Sequence, residues 1–410
     1  MTHNTPQKLI TITITICVLI TTTALAQPST TTHQTTNTPI QQTHLTSYLT
    51  DQHAYILTAS DPYYTESSLS FITLTNPPIT QHDLLNTHGD DELLIHNNHL
   101  YILNRFGYDL IEVFDITNNY QKILEFTTGP YTNPQDMVFI SDTKAYISLY
   151  SSTDLLIVNP QNGKHIGSIN MSAYADADGI PEMHKMNAFT FLGKNRVYLT
   201  IQRLDRNNYF TPTNKSYIIE INADTDTIIR AITLTGTNPV TKPILDGTHI
   251  IIGETGSYTN YTDGGIERIH LFTNEAEGFF ITEADLGGNI LDIDIQPRYR
   301  IIPGYLLTII ENLLGITLFT KYLPILIANN SYITQIHTYN LKTNTLTPLY
   351  TSTGYHITDI CQTTKNILLS TNRDPTHPGI HLFELTTNTQ LTSDPLPTGT
   401  YPPVHIILSP

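Results

Sequence analysis

The chain has 410 residues, 39% hydrophobic and 14% charged, with 24 Tyr and no Trp. That apolar content buries a core, which argues against a disordered chain. Lys and Arg number 20 against 36 Asp and Glu, a formal charge of −16; this excludes a nucleic-acid binder, because neutralising phosphates takes a basic face. Two cysteines exclude a disulfide framework and a thiolate zinc cluster.

Lys8 precedes an apolar stretch from Leu9 to Ile20 broken only by threonines, and Ala24-Leu25-Ala26 offers a small-residue cleavage site before Gln27. Residues 1–26 therefore read as a signal peptide of a secreted protein, periplasmic or extracellular at the cell surface. Ile14-Thr15-Ile16 lacks the small residue that a lipoprotein signal needs before Cys17, so a freely released chain is expected. Cleavage leaves Cys361 as the single cysteine, which forbids an intramolecular disulfide and reads as a buried small apolar residue. Residues 27–50, rich in Thr, Gln, Asn and Pro, bury too little to fold and read as a flexible tether. No transmembrane span is expected once the signal is removed.

From residue 51 onward the chain repeats. Asp91-Glu92-Leu93-Leu94-Ile95 is followed by a turn and Leu100-Tyr101-Ile102-Leu103. Asp136-Met137-Val138-Phe139-Ile140 is followed by Ala145-Tyr146-Ile147-Ser148, and Asn187-Ala188-Phe189-Thr190-Phe191 by Val197-Tyr198-Leu199-Thr200. Two further strand-like runs follow each pair, so each unit is four short strands separated by turns. Unit starts recur at Asp91, Asp136, Asn187, Thr241 or Lys242, Asp292, Asp359 and Val404, at the interval of roughly 40–50 residues or somewhat more that propeller blades take. Val404 opens a last unit of one strand, and the missing three strands lie at the other end, in Ala54–Leu57, Leu69–Leu74 and a weaker run near Leu84. The expectation is an all-β, seven-bladed β-propeller over 51–410, closed by one C-terminal and three N-terminal strands in a shared blade.

In blade 6, residues 303–330 depart from the repeat and read as an insertion. Ile301-Ile302-Pro303-Gly304 falls where its second strand is expected, and Ile333–Tyr339 reads as the third. Between them Leu306, Ile309, Ile310, Leu313 and Leu314 have the spacing of an amphipathic helix.

The stretches Leu100–Arg105, Asn133-Pro134-Gln135-Asp136 and Lys144–Ser148 resemble the repeats of bacterial secreted YVTN-type seven-bladed propellers. Ala175–Glu182 and Gln202–Arg206 resemble an exported branch of the same family. The resemblance spans roughly residues 50–410. It implies fold and export and leaves function open, since this fold hosts binding modules, scaffolds and hydrolases alike.

In an up-and-down blade the inner strand begins at the face that also carries the loops between strands two and three and the crossovers to the next blade. We call it the top face. Asp91, Asp136, Asn187, Asp292 and Asp359 are placed at the channel mouth there, with Thr241 or Lys242 beside them. Such oxygens suit calcium; equally, each cap of this kind binds backbone N–H groups of its own turn. Lys242 is an alternative counter-charge. Asp176-Ala177-Asp178-Gly179 reads either as a calcium loop or as a plain turn. Arg105, Tyr108, Tyr150, Gln202, Arg203, Asp205, Arg206 and Glu254 fall in loops of the same face, as a recognition surface or as inter-blade salt bridges.

Two functions follow. One is a secreted, non-catalytic propeller that binds a small molecule or protein on its top face by rigid presentation. The other is a calcium-assisted, lactonase-like hydrolase with its site at the channel mouth.

Overall fold

The structure, a computed structural model, describes residues 52–60, 66–191, 193–295 and 322–409. The expected signal peptide and tether lie outside these residues.

Apolar runs such as Ile250-Ile251-Ile252, all without exposed surface, are buried on both sides. That happens when a sheet is sandwiched between two others, and it explains why the second and third strands of each unit lack polar alternation. The fourth strand sits at the rim and is largely exposed, as in Gln121–Thr127 and Lys164–Asn170. Seven four-stranded antiparallel sheets result, each ordered one to four from the channel outward. The core lies between sheets: Tyr101, Met137, Tyr146 and Met183 from three successive blades meet in one cluster.

Blade 1 is the shared one. Its inner strand is Pro403–Leu408 and its other three are His53–Ala59, Ser67–Thr73 and Ile79–Thr87. The chain ends meet in register, with Ala54 opposite Leu408, Ile56 opposite Ile406 and Leu57 opposite His405.

The repeat is also written in the turn between strands three and four. Asn119, Gly163, Asp226, Asn274, Asn344 and Asn388 hold the same place in six blades, all at φ between 51° and 69°. Asn, Asp and Gly tolerate that left-handed conformation. Each of Gly163, Asn274 and Asn344 donates its N–H to the carbonyl four residues earlier. At Gly163 a Cβ would lie 2.5 Å from the Phe126 side chain of the preceding blade, so there glycine is required by space as well.

Blade 6 corrects one expectation. Its inner strand is Asn289–Ile293 and its second is Tyr322–Ala328, which pairs with Thr334–Asn340. Residues 322–328 therefore belong to the sheet and not to the insertion, and the second strand does not start at Ile301. Tyr322–Ala328 is apolar and β-rich, and its pairing with the third strand is what brings it into the sheet. The amphipathic stripe from Leu306 to Leu314 lies outside the described residues. Among the described residues no helix is long and apolar enough to cross a membrane.

Candidate functional site: the central channel

All seven inner strands run downward from the top face around a cavity of about 1170 Å³. Arg105, Gln135, Tyr150, Gln202, Tyr258 and Tyr355 surround its mouth, a polar belt follows, and Phe189, Leu245, Ile295 and Leu408 line the lower end.

The predicted unit-start residues act as caps and latches. Asp136 accepts hydrogen bonds from its own Met137 N–H at 2.9 Å and from Met186 of the next blade at 2.8 Å. Asn187 accepts from Ala188 N–H at 2.9 Å, and its Nδ2 donates to the Pro243 carbonyl in the following blade at 3.0 Å. Asp359 accepts from Ile360 at 3.0 Å and from Ile406 of blade 1 at 2.6 Å. Asp292 accepts from Ile293 at 2.9 Å. Short polar side chains at this register thus satisfy strand N–H groups and tie each blade to its neighbour. Asp136, Asn187, Asp292 and Asp359 thus spend side-chain oxygens on backbone N–H groups, contacts that compete with a calcium ion, which takes six to eight oxygens. Among the described residues no three His, Cys, Asp or Glu side chains are grouped to hold a metal. Asp91 stands apart from the other four: it is buried opposite Asn104, and burial pushes its carboxyl up to about 8.

The residue of blade 2 that meets the channel charges is Glu92, one position later and hence on the opposite side of the strand. Lys185 Nζ lies 2.7 Å from it, Lys242 Nζ 3.6 Å and His405 Nε2 3.9 Å. Burial works to raise the Glu92 carboxyl, but Lys185, His405 and Lys242 together hold it far below the ordinary carboxylate range. Lys242 also reaches Asp136 at 3.2 Å. Burial opposes its charge, and the two carboxylates more than offset this.

The opposite wall is acidic. Burial first, then the charges of Asp359 and Asp294, pushes Asp292 well above the carboxylate range, so it is a neutral acid hydrogen-bonded to Asp359. Asp359 accepts from two backbone N–H groups. His405 Nδ1 lies 2.7 Å from it and therefore donates, leaving Nε2 as the uncommitted nitrogen. Asp294 accepts from Gln362 N–H at 2.6 Å and is raised by burial to about 7. His184 is lowered by burial to about 3 and is neutral. The Cys361 thiol is buried and raised, hence unreactive.

Most of the recognition residues expected on the top face are engaged internally. Arg206 Nε pairs with the buried Glu182 carboxylate at 2.7 Å, and its guanidinium lies 5.4 Å from the Tyr150 ring. Arg203 lies over Tyr217 at 5.6 Å and donates to the Lys215 carbonyl at 3.2 Å. Arg105 pairs with Asp90 and reaches Gln135 at 3.3 Å. Gln202 is buried and donates to the Pro239 carbonyl at 3.2 Å. Asp205 caps a 3-10 turn through Asn207 N–H at 3.0 Å. Tyr108 is exposed and stacks on His88. Glu254 is not on the surface at all: it ends the second strand of blade 5 with no exposed area, where burial and then the neighbouring Glu267 push its carboxyl well above the carboxylate range. Asp176 and Asp178 accept from N–H groups two residues ahead, at 3.0 and 2.8 Å, so this stretch is a pair of turns.

Because Arg206 is the one cation paired with Glu182 among the described residues, Arg206→Ala should lower stability by about 3 kcal/mol through an unpaired buried carboxylate. Urea unfolding measures this. Adding Glu182→Gln to Arg206→Ala should recover part of the loss; no recovery contradicts the pairing.

Glu92, Lys185 and His405 carry no periodic signal of their own. The only cue is that each lies within two residues of a unit start or inside the closing strand.

No protein-family model matches the chain, and no curated protein matches it. Solved propellers do. A 6-phosphogluconolactonase-like protein of Bacteroides uniformis shares 12% identity over 88% of this chain and 100% of its own, with a TM-score of 0.58. Its counterpart from Bacteroides fragilis shares 15% over 88% and 98%, at 0.55. The periplasmic gluconolactonase PpgL of Pseudomonas aeruginosa shares 8% over 87% and 98%, also at 0.55. At these identities the likeness shows the seven-bladed fold.

Proposed function

We propose that the chain is an exported propeller of the YVTN type that binds a neutral, polyhydroxylated small molecule in its central channel. One observation carries this reading: the charged side chains of the channel are held by one another. Lys185 and Lys242 lie against Glu92 and Asp136, and Asp359 is held by His405 Nδ1 and two backbone N–H groups. The described wall is dense in donors and acceptors, and its lysines already carry carboxylate partners, which suits a ligand rich in hydroxyls and disfavours a phosphate or a dicarboxylate.

A second reading is favoured by the Asp359–His405 contact beside the protonated Asp292. In this reading the ligand is a sugar lactone, as in the names of the propellers above, and the channel opens it with water. His405 Nε2 takes a proton from water as the oxygen adds to the carbonyl carbon. The ring C–O bond then breaks and Asp292 supplies the proton to the departing oxygen, leaving a hydroxy acid.

Isothermal titration and pH-stat assays with glucono-1,5-lactone, its 6-phosphate and neutral monosaccharides test both. Protein recovered from the secreted fraction serves, and an N-terminus at Gln27 supports export. Neutral ligands should bind, the phosphate at least about ten-fold more weakly, and Lys242→Met should abolish binding. Preference for the phosphate, or binding unaffected by Lys242→Met, sinks the channel reading. Lactone opening lost in His405→Asn with binding retained supports hydrolysis; binding without any turnover by the unaltered chain sinks it.

A further inference from the structure

The large apolar side chains left exposed are sorted by face. Every exposed aromatic residue among those described, except Phe272, belongs to a top-face loop, whereas the exposed aliphatic ones, Ile79, Ile123 and Ile166, lie on outer strands. Phe106 comes from the strand two-to-three loop of blade 2 and Tyr131 from the crossover beyond it. Tyr209 and Phe210 come from a small hairpin on blade 4, Tyr258 from blade 5 and Tyr332 from blade 6. Tyr209 is 95% exposed and Tyr131 85%.

These rings are held out against backbone preference. Phe106, Tyr131, Tyr209, Phe210 and Tyr332 all have φ between 28° and 59°, a region that bulky residues rarely adopt. The loops that hold them are fixed from below. Asp109 accepts from Tyr131 N–H at 2.7 Å and Asn133 N–H at 2.8 Å. Asn133 accepts from Phe106 N–H at 3.3 Å, and Asn329 accepts from Ser331 and Ile333 beneath Tyr332. A ring presented on an ordered loop loses little entropy on binding.

We propose that the top face is a docking surface for a neutral polysaccharide. The rings fall in small groups on different blades, Phe106, Tyr108 and Tyr131 at blade 2, Tyr209 with Phe210 on blade 4, Tyr258 on blade 5 and Tyr332 on blade 6, with the side-chain amides of Asn133, Asn208, Asn260 and Asn330 in the same loops. A protein interface buries a contiguous apolar centre. Ring groups set on different blades, with hydrogen-bonding groups in the same loops, match a chain of sugar units instead, each offering a flat C–H face and a hydroxyl edge. Charge narrows the class further. The arginines of this face are engaged internally, and the chain carries −16 overall, so an acidic polysaccharide or an anionic lipid surface would be repelled.

The test is native affinity electrophoresis of the mature chain in gels containing laminarin, hydroxyethyl cellulose or xyloglucan, with alginate as the acidic control. Sedimentation with phosphatidylcholine vesicles runs alongside. Retardation by at least one neutral polymer and none by alginate is expected. Tyr209→Asn with Phe210→Asn, and separately Tyr131→Asn, should weaken it about ten-fold each, while Phe272→Asn on the opposite face leaves it unchanged. Asn accepts the left-handed backbone, so these variants should melt with the parent chain. Lys242→Met should keep the polysaccharide response, which separates this surface from the channel. The proposal is overturned if no neutral polymer retards the chain, if the ring variants bind as the parent does, or if only alginate or vesicles bind.

Discussion

A chain ending at Tyr401 should fail to unfold cooperatively and should aggregate, although it lacks few residues. Pro403–Leu408 is the inner strand of blade 1 and pairs along His53–Ala59. It also carries latches from blade 7. The Ile406 N–H and His405 meet Asp359, and the Val404 carbonyl accepts from Thr358 Oγ1 at 2.9 Å. Removal strands the Asp359 carboxylate and uncovers the edge of a fully buried strand on one side and the flank of blade 7 on the other. Edges of that kind template aggregation. Ring closure couples every blade, so the loss is global and exceeds the 5–15 kcal/mol that is roughly available to a domain. Circular dichroism melts and size-exclusion chromatography provide the readout, and a synthetic peptide of residues 402–410 added during refolding should restore a transition. A truncated chain that melts within a few degrees of the full one would show that the ring does not depend on this strand.

The blades were legible because double-sided burial leaves a coarse mark. Tyr101, Tyr146 and Tyr198 stand at equivalent places in second strands and are all buried between blades. Closure was legible because one end of the chain lacked the strands that the other end supplied. The site was legible only in part. Asp136, Asn187, Asp292 and Asp359 are visible as polar residues at a fixed register, yet register cannot tell a ligand oxygen from a latch; that depends on which N–H of the next blade comes within 3 Å. Glu92, Lys185 and His405 are far apart in sequence, and only the closed ring brings them together. Glu254 looked like a loop residue because it ends a strand, and the side of the sheet it faces is set by pairing with Gly265. The same limit applied in blade 6, where the sequence placed the second strand near Ile301 and only pairing with Thr334–Asn340 shows it at Tyr322–Ala328.

Stability should be greatest in mildly acidic solution and fall as pH rises through neutrality, an unusual profile for a chain of this charge. Burial pushes Asp91 and Glu283 up to about 8 and Glu182 and Asp294 up to about 7, and carries Asp292 and Glu254 well above the carboxylate range. In the unfolded chain these groups titrate near 4, so between about pH 4 and 8 the native state binds more protons. The stabilisation is then complete below the unfolded values and is lost as pH climbs through the folded ones, at up to about 1.4 kcal/mol per unit for each group titrating. Glu92 acts in the opposite direction: its depressed pKa contributes stability above the unfolded value, lost only in strong acid. Glu254 is the sharpest case. It is buried beside Glu267, which accepts the Thr235 N–H at 3.1 Å in the crossover from blade 4. A Cβ on Gly236 would come within 2.4 Å of its carboxylate, so the pair sits in a close-fitting cavity. Ionising both members would place two like charges there and separate blade 5 from the crossover that docks it. The melting temperature should therefore drop by about 10 °C or more between pH 5 and pH 8. Glu254→Gln keeps the side-chain shape and cannot ionise, so it should raise the melting temperature at pH 8 while changing it little at pH 5. A parent chain whose melting temperature is flat or rising from pH 5 to 8 would contradict the protonated acids; a Glu254→Gln variant that shifts equally at both pH values would remove Glu254 from the account.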